Sequence, residues 1–136
     1  MDTKRVRAVA DAIEAHPEYF NQDGEWVPFT YCGGKPYGKP GDVADWARAM
    51  FAPKPPTDPL LMREYCPGET FRKVLDLNFS EGNKLLCRKW PRSWFRTTPT
   101  NPPEDDWVGN SYSVPTAAEA VQILRDLADG VLRIPN

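Results

Sequence analysis

The sequence predicts a mainly α-helical protein with a single domain spanning residues 1–136. We expect a small bundle of four to five short helices joined by long proline-rich loops, with at most a small β-hairpin near residues 25–39. Three observations predict this class. Apolar residues recur at helical spacing behind good capping residues. The 15 prolines disfavour regular sheet, because proline cannot donate to a strand ladder. The length of 136 residues suits one domain.

The first predicted helix covers Thr3–His16 and stops at Pro17. Asp2 or Thr3 can cap its N-terminus. Its apolar stripe consists of Val6, Val9, Ala10 and Ile13.

The second predicted helix covers Val43–Phe51, with Asp42 as its N-cap. We expect one face to be apolar and the opposite face to be polar. The apolar face holds Val43, Trp46, Ala47, Met50 and Phe51, and the other holds Asp45, Arg48 and Ala49. A stiff proline-rich loop follows over residues 52–59.

Two further short helices are predicted over Glu69–Leu77 and Glu81–Trp90, the latter capped by Ser80. Residues 97–115 are predicted to form a long irregular loop, a kind of segment that is often functional or mobile. The last helix begins at the T-x-x-E capping box of Thr116 and Glu119 and ends near Gly130.

The net charge and the cysteines indicate the cellular compartment and the classes of partner. The net charge of −2 provides no global attraction to nucleic acid or to a membrane. No apolar run is long enough for a membrane span. Cys32, Cys66 and Cys87 are odd in number and form no C-x-x-C pair. We therefore expect a cytoplasmic protein with reduced thiols and no membrane partner.

The stretch Gly33–Lys39 matches the phosphate-binding pattern G-x-x-x-x-G-K. A working phosphate loop needs a hydroxyl after the lysine, and Pro40 stands there instead. Two interpretations remain open: a glycine-proline loop with two solvated lysines, or an anion-contacting loop that uses Lys35, Tyr37 and Lys39 ahead of a helix N-terminus.

The segment Lys84–Arg96 interleaves basic and aromatic residues and contains no acidic residue. Its candidate binding residues are Arg88, Arg92, Trp94 and Arg96. Such a segment suits stacked bases, phosphates or a protein interface. Alternatively, its rings belong to the core and its charges are solvated. We expect Trp90 to be buried and Trp94 to be the more exposed ring.

Carboxylates and thiols provide weaker candidate sites. The acidic cluster Glu104–Asp106 suits a metal, a basic partner or a solvated loop, and it lacks the ligand spacing of a calcium site. The three cysteines with His16 could assemble a zinc site, but no two of them are closely paired. We therefore predict no metal and no cofactor.

Several short motifs resemble a group of small uncharacterised bacterial and phage proteins. The opening helix, VADAIEAHPEYF over residues 9–20, is similar to that group's first helix. Cys32-Gly33, Trp46-Ala47 and Trp90-Pro91 are similar to its later motifs. The group's second cysteine is missing and the spacing from Cys32 to Trp46 is longer, so no cysteine-pair chemistry carries over. The resemblance implies an architecture and a cytoplasmic setting, and it implies no activity.

Three functional hypotheses follow. The leading one is a small non-enzymatic binding or inhibitory protein, of the kind that phages and mobile elements encode, which engages a partner protein or an anionic ligand. The second is a nucleotide-binding or nucleic-acid-binding protein. The third is a small hydrolase that depends on Cys32 or on a metal. The predicted binding residues are Lys35, Tyr37, Lys39, Arg88, Arg92, Trp94 and Arg96.

Overall fold

The computed structural model describes residues 1–24, 29–52 and 57–135, and these ranges contain six α-helices and two antiparallel sheets. The helices are α1 (Thr3–Ala15), α2 (Val43–Phe51), α3 (Pro59–Met62), α4 (Pro67–Val74), α5 (Phe79–Leu86) and α6 (Ala117–Ala128). The strands are β1 (Phe29–Cys32), β2 (Lys35–Gly38), β3 (Trp90–Pro91), β4 (Glu104–Asp105) and β5 (Ser111–Ser113). The prediction of a mainly α bundle with at most one hairpin is therefore wrong.

The predicted starts of α1, α2 and α6 agree with the structure, and a capping residue marks each of them. Asp42 and Asp45 form a reciprocal capping box at α2, and Thr116 and Glu119 form one at α6. Gly130 has a φ of +75° just past the end of α6, the left-handed conformation that glycine favours. These boundaries were predictable because a cap is a local interaction within one turn of chain.

The cap of α5 and the short helix α3 were not predicted. Asn78, not Ser80, caps α5 in a box with Glu81. The Ser80 hydroxyl instead donates to the Pro135 carbonyl at 2.7 Å, which joins the start of α5 to the C-terminal segment. Helix α3 has only four residues, too few for a periodic apolar pattern.

The first sheet is the hairpin β1–β2, and it confirms the small hairpin expected near residues 25–39; residues 25–28 lie outside the described part. Its two-residue turn is Gly33-Gly34, with φ of +60° and +76°. Two positive φ values in succession define a type I′ turn, which favours glycine at both positions. Pro36 pairs with Tyr31 at a position without ladder hydrogen bonds, so its missing N–H leaves the ladder intact.

The second sheet has the order β3-β5-β4 and was missed entirely. Its strands have only two or three residues each. Such short strands carry no readable alternation of apolar and polar residues. They form because a distant segment, beginning at Trp90, pairs with Ser113 across the predicted irregular loop.

One hydrophobic core joins these elements. Helix α1 packs along α6, and α2 packs against β1, α4 and α1. Trp46 is fully buried, with its ring centroid 4.8 Å from Phe29 and 5.8 Å from Tyr31. Its indole N–H also donates to the Tyr19 carbonyl at 3.2 Å. The ring therefore fixes the hairpin on α2.

A buried glutamine connects three separate segments. Gln22 is 2% exposed, and its amide nitrogen donates to the carbonyls of Leu85 at 3.0 Å and Cys87 at 2.9 Å. Its amide oxygen accepts from the Val43 N–H at 3.1 Å. The side chain therefore satisfies the first turn of α2 and the last turn of α5 together.

The polar face predicted for α2 is partly buried. Asp45 is 6% exposed, and its carboxylate lies 2.8 Å from the Arg48 guanidinium. Burial raises the pKa of the neighbouring Asp42 to about 7, with a further rise from the negative charge of Asp45.

We expect Asp42→Asn to flatten the pH dependence of folding stability. The pKa of Asp42 is about 7 when folded and roughly 3.9 when unfolded. Its stabilising contribution is therefore complete below about pH 4 and is lost as the pH rises to about 7. Asparagine caps helices as well as aspartate does. The difference in unfolding free energy, wild type minus variant, should fall by about 4 kcal/mol between pH 4 and pH 8.

Chemical denaturation across that pH range measures the difference. Asp105→Asn provides the matched control, because Asp105 is exposed and undergoes the same acid-to-amide change. Parallel stability curves for wild type and Asp42→Asn would show that Asp42 is ionised throughout.

Candidate functional site

Arg88 is one of the predicted binding residues, and two carboxylates pair with it. Its Nη2 donates to both oxygens of Glu104, at 2.7 and 2.9 Å, and its Nη1 lies 3.4 Å from Asp23. These three charges lie along a groove of about 690 Å³ between the Phe20–Asp23 segment and the start of α6. The paired charges leave little positive potential for an anionic ligand.

Arg96 is likewise engaged in the fold. Its Nε donates to Asp126 Oδ2 at 2.9 Å, and its Nη2 donates to Oδ1 of the same carboxylate. The Asp126 side chain is 5% exposed, so the arginine compensates a buried negative charge. Trp94, expected to be the more exposed ring, is 6% exposed and packs 5.7 Å from Trp90. The expectation that Trp94 is exposed is wrong, whereas the burial expected of Trp90 is confirmed.

Arg92 differs from these two arginines. It is exposed, and within residues 1–24, 29–52 and 57–135 no hydrogen bond or ion pair engages its guanidinium. It lines a groove of about 570 Å³ between the turn after β3 and strand β5, which we call the Arg92 groove. Its walls are formed by Pro91, Arg92, Ser93, Phe95 and residues 109–112. Lys89 lies beside it, with its ammonium 5.6 Å from the Tyr112 ring centroid.

The remaining predicted residues lie on the hairpin. Lys35 and Tyr37 are exposed on its outer face, beside Thr30 and Cys32, because strand residues alternate between the two faces. Lys39 follows β2 and is also exposed. The two predicted groups of basic residues therefore lie on different parts of the fold: one on and just after the β1–β2 hairpin, the other in the segments before and after β3.

The acidic cluster stabilises a turn. Glu104 pairs with Arg88, and Asp106 accepts hydrogen bonds from the N–H groups of Val108 at 3.0 Å and Asn110 at 2.8 Å. The Asn110 amide also donates to Asp106, at 3.1 Å. Although desolvation opposes the change, hydrogen bonds from Asn110, Val108 and Tyr112 together lower the pKa of Asp106.

This turn presents the most exposed large apolar side chains of its sheet. We call residues 106–110, between β4 and β5, the tip loop. Trp107 is 95% exposed and Val108 is 58% exposed. Gly109, at a φ of +88°, and the hydrogen bond from Asp106 N to Asn110 O, at 2.8 Å, close the loop. Its backbone is therefore fixed while its apolar side chains face solvent.

The sequence contains one indication of this arrangement. Asp106 and Gly109, flanking two apolar residues, are typical of a tight turn. The carboxylates Glu104–Asp106 were selected from the sequence as a candidate site, and Trp107 was not selected. The exposure of a tryptophan depends on tertiary packing, which the sequence does not show.

The thiols and carboxylates form no cluster suited to a metal within the described part of the chain. Cys32, Cys66 and Cys87 are free and exposed, and no group of three or more histidine, cysteine, aspartate or glutamate residues there could hold an ion. In the same ranges, no helix is long and apolar enough to cross a membrane.

We expect Arg96→Ala and Arg92→Ala to differ in their effect on stability. Loss of Arg96 leaves the buried carboxylate of Asp126 without its charged partner, which should reduce the unfolding free energy by about 2 kcal/mol. Arg92→Ala should change the unfolding free energy by no more than about 0.5 kcal/mol, because Arg92 is exposed and has no ion-pair partner in the described part of the chain. Thermal and chemical denaturation of both variants test this difference. Equal effects of the two substitutions would contradict the assignment of Arg96 to the fold.

Comparison of the chain with family models, with curated proteins and with solved structures finds no match. The resemblance to small bacterial and phage proteins therefore stays a prediction, and the tip loop with the Arg92 groove becomes the candidate site on its geometry alone.

Proposed function

We propose that the chain is a small non-enzymatic binding protein whose tip loop inserts Trp107 into an apolar pocket of a protein partner. The observation that carries this proposal is the 95% exposure of Trp107 on a loop held by the Asp106 carboxylate. Tryptophan is one of the residue types enriched at the energetic centre of protein interfaces.

The energetics favour such a contact. Burial of a tryptophan side chain removes about 200 Å² from water, a gross gain of about 5 kcal/mol at 25 cal/mol per Å². The tip loop is already ordered by its own hydrogen bonds, so binding costs little additional backbone entropy. A preorganised loop of this kind also suits an inhibitor, which must occupy a pocket without rearrangement.

The nucleic-acid hypothesis has a narrower basis. Arg88 and Arg96 already have carboxylate partners, and the net charge is −2. Binding along a phosphate backbone requires several available cations. The nucleic-acid hypothesis is supported by Lys35 and Tyr37, which are exposed on the outer face of the hairpin. The hydrolase hypothesis gains no supporting geometry around Cys32 in the described ranges.

Selection from a random peptide library displayed on phage, against the immobilised protein, tests the proposal. We expect the enriched peptides to lose at least tenfold in affinity for Trp107→Ala, because the indole is the anchor. Asp106→Ala should weaken the same peptides less, because it loosens the loop and leaves the ring in place. Both losses are measured by fluorescence polarisation with labelled peptides.

Phe79→Ala is the matched control, because Phe79 is another exposed aromatic ring, at 71%. Trp107→Ala should leave the unfolding free energy within about 0.5 kcal/mol of wild type, since the ring contributes little to the core. Peptides that bind Trp107→Ala as tightly as wild type would overturn the proposed function.

A further inference from the structure

The Arg92 groove adjoins the tip loop and differs in charge from its surroundings. Arg92 is the single charged residue among its eight lining residues, which are Pro91, Arg92, Ser93, Phe95, Gly109, Asn110, Ser111 and Tyr112. Gly109 and Asn110 belong both to this groove and to the tip loop. The tip loop and the groove are therefore contiguous through these two residues.

Resting on the proposed function, we infer that the partner segment in the Arg92 groove is acidic and that one of its carboxylates binds Arg92. No ion pair engages Arg92 among the described residues, whereas Arg88 and Arg96 each have a carboxylate. An arginine fork is suited to bidentate binding of a carboxylate. Charge complementarity thus selects an acidic peptide segment as the occupant.

The backbone at Arg92 is held by the fold, so the position of the Arg92 Cα relative to the groove is defined. Arg92 begins the short 3₁₀ turn Arg92–Trp94, whose last ring is buried. The Phe95 N–H donates to the Arg92 carbonyl at 3.2 Å and closes the turn. Because this backbone is already ordered, binding at Arg92 costs side-chain entropy and little backbone entropy.

The number of cations around the groove favours a ligand with one carboxylate over a ligand with a chain of phosphates. Lys89 is the neighbouring cation, and it lies over the Tyr112 ring. The Tyr112 hydroxyl lies 3.5 Å from Asp106, whose oxygens accept hydrogen bonds within the tip loop. One guanidinium that has no ion pair among the described residues suits a single acidic side chain, whereas a phosphate backbone requires several cations.

Two synthetic peptides of equal length test the inference, one alternating leucine with glutamate and the other alternating leucine with glutamine. Titrations are followed by ¹H–¹⁵N NMR of the full chain. We expect the glutamate peptide to bind about tenfold more tightly than the glutamine peptide. The chemical-shift changes should involve the Trp107 indole, the Arg92 side chain and residues 109–112. The affinity for the glutamate peptide should fall as the salt concentration rises.

Arg92→Gln should abolish the preference for glutamate. Arg63→Gln, a second exposed arginine without a described partner, should keep it. Equal affinity of wild type for both peptides, or an unchanged preference in Arg92→Gln, would overturn the inference. Tighter binding of inorganic phosphate or a single-stranded oligonucleotide at the same resonances would overturn it as well.

The two proposals fail separately. If both peptides shift the Trp107 indole equally, the acidic occupant is wrong and the proposed function stands. If neither peptide shifts any of these resonances, the acidic occupant is again overturned, and the phage selection decides the proposed function independently.

Discussion

The buried amide of Gln22 is the interaction on which the arrangement of this small protein most depends. It accepts from the first turn of α2 and donates to two carbonyls at the end of α5. Buried backbone groups need partners, and these three groups belong to two segments that are far apart in the chain. The same residue precedes Asp23, which places that carboxylate beside Arg88. One buried side chain therefore links the hairpin-bearing half of the fold to the half that carries the second sheet.

Ion pairs then divide the basic residues into two groups. Arg88 and Arg96 compensate carboxylates, and Asp126 in particular is a buried charge that needs its partner. Arg92 lies between them in sequence and remains exposed. The segment predicted to be one basic-aromatic surface is thus partly structural, and Arg92 is an arginine of this segment that has no ion pair among the described residues. The exposed tryptophan among the described residues is accordingly Trp107, whereas the sequence predicted Trp94.

Much of the helical framework could be predicted, since caps and apolar stripes are local patterns. The boundaries of α2 agree with the prediction because Asp42 marks its start, and α6 follows its capping box in the same way. The second sheet could not be predicted, because strands of two or three residues carry no periodicity. Their pairing depends on a contact between Trp90 and Ser113 across a long irregular loop.

The sequence by itself determined the capped starts of α2 and α6 and the glycine pair that forms the turn at Gly33-Gly34. The stretch that matches the phosphate-loop pattern forms a hairpin turn instead, because two successive glycines adopt positive φ without steric strain. Only the tertiary structure decided which arginines were neutralised and which tryptophan faced solvent. The physical reason is that ion pairing and burial depend on residues distant in sequence, whereas capping and turn geometry depend on neighbours.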